Sequence, residues 1–174
     1  ERGYMIRSVI SLAGATHYDF NDCPNTGYPN VLQIHGTLDS VISYDGGSIL
    51  GNNYPSASQT VFSWANRSGC DLSYTIVNQL DLISPSGEND TIEYEHLNCS
   101  FGNRVSLWEI PNGSHSPQIW SSSDDDFSST ILNWGLSGYF PDSDGDGVRD
   151  NLDAFPNNPF EDSDSDGDGV GDNS

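Results

Sequence analysis

Val31-Leu32-Gln33-Ile34-His35-Gly36-Thr37-Leu38-Asp39 runs five residues of strand character into a glycine, a short turn and a carboxylate. Short apolar runs of this kind are how the strands of a buried parallel sheet read. In open α/β sheets, ligands and reactive groups gather just past the carboxyl ends of the strands. Asp39 therefore stands where such a sheet presents a functional acid. A second strand, Val105–Ile110, ends in the same manner at Pro111-Asn112-Gly113-Ser114-His115. An acid after one strand and a histidine after a later one is the order expected of the acid and base of a hydrolase triad.

Working outward, Ser8–Gly14 is an apolar, β-branched run stopped by glycine and predicts another strand. Residues 15–30 are a loop rich in Asn, Asp, Pro and Gly. Ser56 or Ser58 caps a helix expected over roughly 57–67, with Val61, Trp64 and Ala65 on one side. Leu72–Ile83 and Thr91–Leu97 flank the turn Pro85–Asp90 and predict a hairpin. Asp124-Asp125-Asp126 favours a helix start, since acids suit the positive amino end, and Phe127, Ile131, Trp134 and Leu136 give that helix a buried stripe. Strand, strand, helix, hairpin, strand, helix is the pattern of the C-terminal half of a doubly wound α/β sheet. The chain opens at Glu1 without an initiator Met and reads as an internal fragment.

Charge divides the chain. Of its 26 acids, 11 lie in residues 142–174 beside a single Arg, and the net charge is −21 with no Lys at all. Nucleic-acid and anionic-membrane binding need clusters of Lys and Arg and are excluded as partners, whereas cations are favoured. Aromatic and aliphatic residues sufficient for a core occur only before the acidic stretch, so the expected domains are 1–140 and 141–174. No apolar run approaches the roughly 20 residues of a membrane helix. Cys70 follows the predicted helix and Cys99 precedes a strand; they either pair, as in a secreted protein, or stay with Cys23 as buried thiols. Four N-x-S/T sequons, at Asn66, Asn89, Asn98 and Asn112, carry little weight in a chain rich in Asn and Ser.

Asp39 and His115 can meet only if strands 31–35 and 105–110 are sheet neighbours. Their alternatives are an acid capping its own turn and an exposed loop histidine. His35 reads as a packing residue before Gly36, and His17 and His96 are weaker candidates still.

Several motifs together resemble a known family. Ile34-His35-Gly36-Thr37-x-Asp39, Val41-x-x-Tyr44-x-Gly46-Gly47, Trp64 before Gly69-Cys70, Cys99, and Asn112-Gly113-Ser114-His115 after an apolar strand look like secreted esterases of the polyhydroxybutyrate depolymerase and feruloyl esterase type. The resemblance spans about residues 8–138. It implies an α/β-hydrolase fold, a Ser-His-Asp triad with Asp39 as acid and His115 as base, an ester substrate, and a Cys70–Cys99 disulfide. Two features depart from the family pattern. Gly113-Ser114-His115-Ser116-Pro117, with Trp120 further on, replaces the family's Gly-Gly-His before Trp-Pro. The G-x-S-x-G elbow is absent too, since Ser8, Ser11 and Ser48 lack the flanking glycines. The serine is then expected upstream of Glu1, and residues 1–174 alone are expected to be inactive. A non-catalytic, calcium-dependent binding or adhesion protein is the alternative.

The acidic stretch carries the sharpest local motif. Asp142, Asp144, Asp146, Asp150 and Asp153 occupy positions 1, 3, 5, 9 and 12 of a calcium loop, with the Val148 carbonyl at position 7 and Gly147 at position 6. The pattern returns 22 residues later as Asp164, Asp166, Asp168, Val170 and Asp172. The Phe155-Pro156 spacer forbids the long flanking helices of an EF-hand. Residues 142–174 resemble thrombospondin type 3 repeats, with dockerin repeats second, and imply calcium as the bound ion, a secreted or cell-surface location, and surface attachment through this tail.

Overall fold

In a computed structural model, residues 6–19, 27–83, 89–117, 127–137, 143–144, 146, 148, 150 and 153–172 are described. The chain divides into two compact units, Glu1–Ser137 and Gly138–Ser174.

The first unit is built on β2 (Asn30–Gly36), every residue of which is buried. Parallel neighbours flank it: β1 (Ser8–Leu12) on one side and β7 (Val105–Ile110) on the other. Beyond β7 lie β6 (Thr91–His96) and β5 (Tyr74–Leu80), both added antiparallel, giving the order β1-β2-β7-β6-β5. A separate two-stranded sheet pairs β3 (Gly47–Ile49) with β4 (Asn52–Tyr54). Its loop residues Leu50 and Gly51 both have positive φ, the backbone of a tight hairpin turn.

This corrects the expected fold class. The described residues form a mostly β unit around a mixed five-stranded sheet, with two short helices, and not a doubly wound α/β-hydrolase sheet. A doubly wound sheet needs a helical crossover between successive parallel strands. Here β5 and β6 add as a hairpin, whose antiparallel pairing needs only a turn. The β2-to-β7 crossover carries α1 (Ala57–Arg67), and α2 (Phe127–Leu136) follows β7.

Both faces of the central strands are nevertheless covered, because side chains alternate along a strand. Val31, Val105 and Leu107 pack with Ala57, Val61 and Ala65 of α1. Leu32, Ile34, Trp108 and Ile110 pack on the other face with Leu82 and with Phe127 and Trp134 of α2. Ser56, not Ser58, caps α1: its Oγ accepts from Gln59 N at 3.0 Å while the Gln59 side chain accepts from Ser56 N at 3.1 Å. Arg104 ties β7 to β6 and α2, donating to Glu93 at 3.1 Å and Glu95 at 2.6 Å and lying over the Trp134 ring.

Cys70 and Cys99 form a disulfide, joining the chain after α1 to the chain after β6. The pair is 29 positions apart. Crosslinking a loop of that length restricts the unfolded chain by about 3.5 kcal/mol. Replacing both cysteines with alanine is therefore expected to lower the unfolding free energy by about that amount, read as a lower urea midpoint with a raised m-value, since the uncrosslinked denatured chain exposes more surface.

The second unit contains neither helix nor strand among its described residues. Phe160 and Val170 are largely exposed, so apolar burial contributes little to it. The expected helix start at 124–126, residues 85–88 of the expected turn Pro85–Asp90, Cys23, Trp120 and Asp142 lie outside the described residues.

Candidate functional site

The parallel pairing of β2 with β7 aligns Gly36 with Ile110, so both strands end at one level. The loops that follow are stitched together by backbone hydrogen bonds. Thr37 N donates to Ile110 O at 3.0 Å, and Leu38 N to Gly113 O at 2.9 Å. Asn112 N donates to the Thr37 hydroxyl at 2.8 Å. Gly36 is required by this closeness, since a Cβ there would fall on the Gly113 carbonyl. Gly36→Ala should push the loops apart and destabilise the fold by about 1–3 kcal/mol, visible as a lowered melting temperature.

The stitched loops bring Asp39 and His115 together across 76 positions, with His115 Nδ1 2.9 Å from Asp39 Oδ2. The Asp39 side chain is fully buried, whereas His115 is about one-third exposed. Asp39 Oδ1 accepts from Val41 N at 2.8 Å and Ile42 N at 2.9 Å. Burial opposes ionisation of this carboxyl, but the His115 bond and the two backbone amides outweigh it and hold the group below its ordinary value. An ionised Asp39 keeps a proton on His115 Nδ1, which leaves Nε2 as the free basic nitrogen.

His35 belongs to the same network, beyond the packing role expected for it. It is buried, its Nε2 lies 3.2 Å from Asp39 Oδ2 and 2.8 Å from Ile42 O, and its Nδ1 faces Gln33 Nε2 at 3.0 Å. With two acceptors at Nε2 and an amide donor at Nδ1, the imidazole is neutral and donates through Nε2. Gln33 is oriented in turn by Gly14 O at 2.9 Å. The available signal was two polar residues, Gln33 and His35, at alternate positions of an otherwise apolar strand, which places both on one face. His17 is exposed, and His96 bonds the Asp71 carbonyl, away from this site. Among the described residues no hydroxyl or thiol is bonded to His115 Nε2.

A second candidate site lies in the acidic unit. One carboxylate oxygen from each of Asp144, Asp146 and Asp153 lies within 4.8 Å of the others, and the same holds for Asp164, Asp166 and Asp168. Both groups could hold a metal ion. In loop numbering the first supplies positions 3, 5 and 12 and the second positions 1, 3 and 5. The local bonding repeats: Asp146 N donates to Asp144 Oδ1 and Asp168 N to Asp166 Oδ1, both at 3.2 Å. In the first loop, Asp144 and Asp153 each spend Oδ1 on a backbone N–H and leave Oδ2 buried without a partner. Buried, unpaired carboxylate oxygens are costly unless a cation satisfies them. Asp150 and Asp172, expected as ligands, stand outside the clusters and accept instead from the Ser143 and Ser165 backbone and hydroxyl groups. Val148 and Val170, expected as carbonyl ligands, each donate the N–H to the preceding Asp of the loop, at 2.7 and 2.8 Å.

No helix among the described residues is long and apolar enough to cross a membrane. Comparison with protein-family models, curated proteins and solved structures finds no match for this chain.

Proposed function

We propose that the first unit carries the acid and base of a secreted carboxylic-ester hydrolase and that the second is a calcium-ordered stalk. The observation that carries the catalytic reading is the buried Asp39 carboxylate, held by two backbone amides and bonded to His115 Nδ1. In this mechanism His115 Nε2 takes the proton from a serine hydroxyl as the serine oxygen attacks the ester carbonyl. The imidazolium is balanced by Asp39, and its proton passes to the departing alkoxide. A water molecule then attacks the acyl-enzyme, giving its proton to Nε2, and the acid is released with the serine restored. The serine is proposed to lie in chain preceding Glu1, and the substrate class is a polyester or polysaccharide-linked ester.

For the stalk, Asp144, Asp146 and Asp153, and likewise Asp164, Asp166 and Asp168, would hold calcium, a hard cation that takes six to eight oxygens. Bound calcium would supply crosslinking charge where the described residues of the unit bury little apolar surface. The disulfide suits an oxidising, extracellular setting, where the stalk would attach the protein to a surface.

The test is hydrolysis of a short-chain nitrophenyl ester by the full-length protein, together with covalent labelling by a fluorophosphonate. Turnover with labelling of one serine is expected. No turnover and no labelling would overturn the hydrolase reading in favour of a calcium-dependent binding protein.

A further inference from the structure

A cavity of about 70 Å³ opens on the sheet beside Ser58 and Val61 of α1. A single water needs roughly 10–15 Å³ by this measure, so the space takes a compact group of several heavy atoms. Its walls come from one face of three successive strands: Tyr74 of β5, Tyr94 and His96 of β6, and Leu107 and Glu109 of β7. Tyr44 closes it from the loop before β3. Tyr74 meets Tyr94 edge to face, with ring centroids 5.1 Å apart.

The polar groups here are the hydroxyls of Ser58 and three tyrosines, the His96 imidazole and the single carboxylate of Glu109. Glu109 is partly buried, and the Tyr44 hydroxyl donates to its Oε2 at 2.5 Å. No Arg or His pairs with Glu109 among the described residues. His96 directs Nδ1 at the Asp71 carbonyl at 2.8 Å and donates its proton there. A carboxylate without a cation, walled by tyrosines, matches the chemistry that recognises organic cations. We propose that this cavity binds a small alkylammonium ion, its charge facing Glu109 and its methyl or methylene groups against Tyr44, Tyr74 and Tyr94. The site is independent of the Asp39–His115 reading.

The experiment is a titration of the full chain with tetramethylammonium chloride at constant ionic strength, followed by amide and side-chain NMR shifts, with tert-butanol as the neutral probe of similar shape. Saturable shifts at Tyr74, Tyr94 and Glu109 with the cation only are expected. Glu109→Gln keeps an acceptor for Tyr44 and should weaken binding about tenfold. Tyr94→Leu should weaken it about threefold. Equal response to tert-butanol would mean an apolar cavity without cation selectivity and would overturn the proposal. So would shifts confined to the Asp-rich unit, or cation binding unchanged in both variants.

Discussion

Asp39→Asn is expected to lower kcat for ester hydrolysis by about 10⁴-fold while leaving the protein folded. The loss follows from the two-sided bonding of this carboxylate. Oδ1 accepts from Val41 N and Ile42 N, so an asparagine must place its carbonyl oxygen there. Its NH2 group then replaces Oδ2 and faces His115 Nδ1. Donating to Nδ1 moves the imidazole proton to Nε2, and the nitrogen that should take a proton already holds one. His35 Nε2–H, also directed at Oδ2, meets a donor and loses that acceptor, keeping only Ile42 O. His115→Ala removes the base and should cost at least as much activity. The measurement is kcat in the full-length protein, with fluorophosphonate labelling falling in parallel; an Asp39→Asn protein that retains wild-type kcat would refute the assignment. Acid sensitivity should change as well. Asp39 is held below its ordinary pKa, so its contribution to stability is fully present above the unfolded-state value and lost as pH falls through the lowered folded value. The Asn variant should lack that part of the acid destabilisation.

Asp39 and His115 were legible in sequence because each follows a strand whose apolar run is unambiguous, and because β2 and β7 are buried on both faces. The class of the sheet was not. The hairpin of β5 and β6 was read from its turn, but not that it joins the same sheet antiparallel to β7, which depends on what fills the space beside that strand. The exposed residues of β5 carry no alternation that would have announced an edge strand. The β3–β4 hairpin was hidden for a local reason. Its turn puts Leu50 at a φ of 50°, a position that Asn, Asp or Gly normally marks. His35 was underread because a histidine at a strand end can pack or donate, and only the position of Asp39 four residues later, after the chain reverses, separates the two. In the tail, spacing correctly found the acids of both clusters but not the division of labour among them. Asp150 and Asp172 satisfy the serine at the head of each loop, a choice set by backbone turns that spacing does not encode.

Removing calcium should open the second unit, and a single arginine makes the opening readable. Residues 142–174 contain 11 acids and one basic residue, Arg149, inside the first loop. Trypsin therefore has one cleavage site there. Without a cation, mutual repulsion of the carboxylates and the buried, unpaired oxygens of Asp144 and Asp153 both favour the open chain, and there is little apolar burial to oppose them. Calcium bound only to the closed loop would stabilise it by RT ln(1 + [L]/Kd), about 2.7 kcal/mol at 100 times Kd. Where opening is fast relative to cleavage, the rate follows the open population, so excess chelator should accelerate cleavage after Arg149 about 100-fold under those conditions. Asp153→Asn should abolish most of the calcium protection, because it replaces an anionic oxygen of the cluster while retaining a carbonyl for the Phe155 amide. The first unit, held by its own core and disulfide, should show no such dependence. Equal cleavage rates in calcium and in chelator would show that the Asp clusters fold without a metal and would remove the stalk from the proposed function, leaving the Asp39–His115 site untouched.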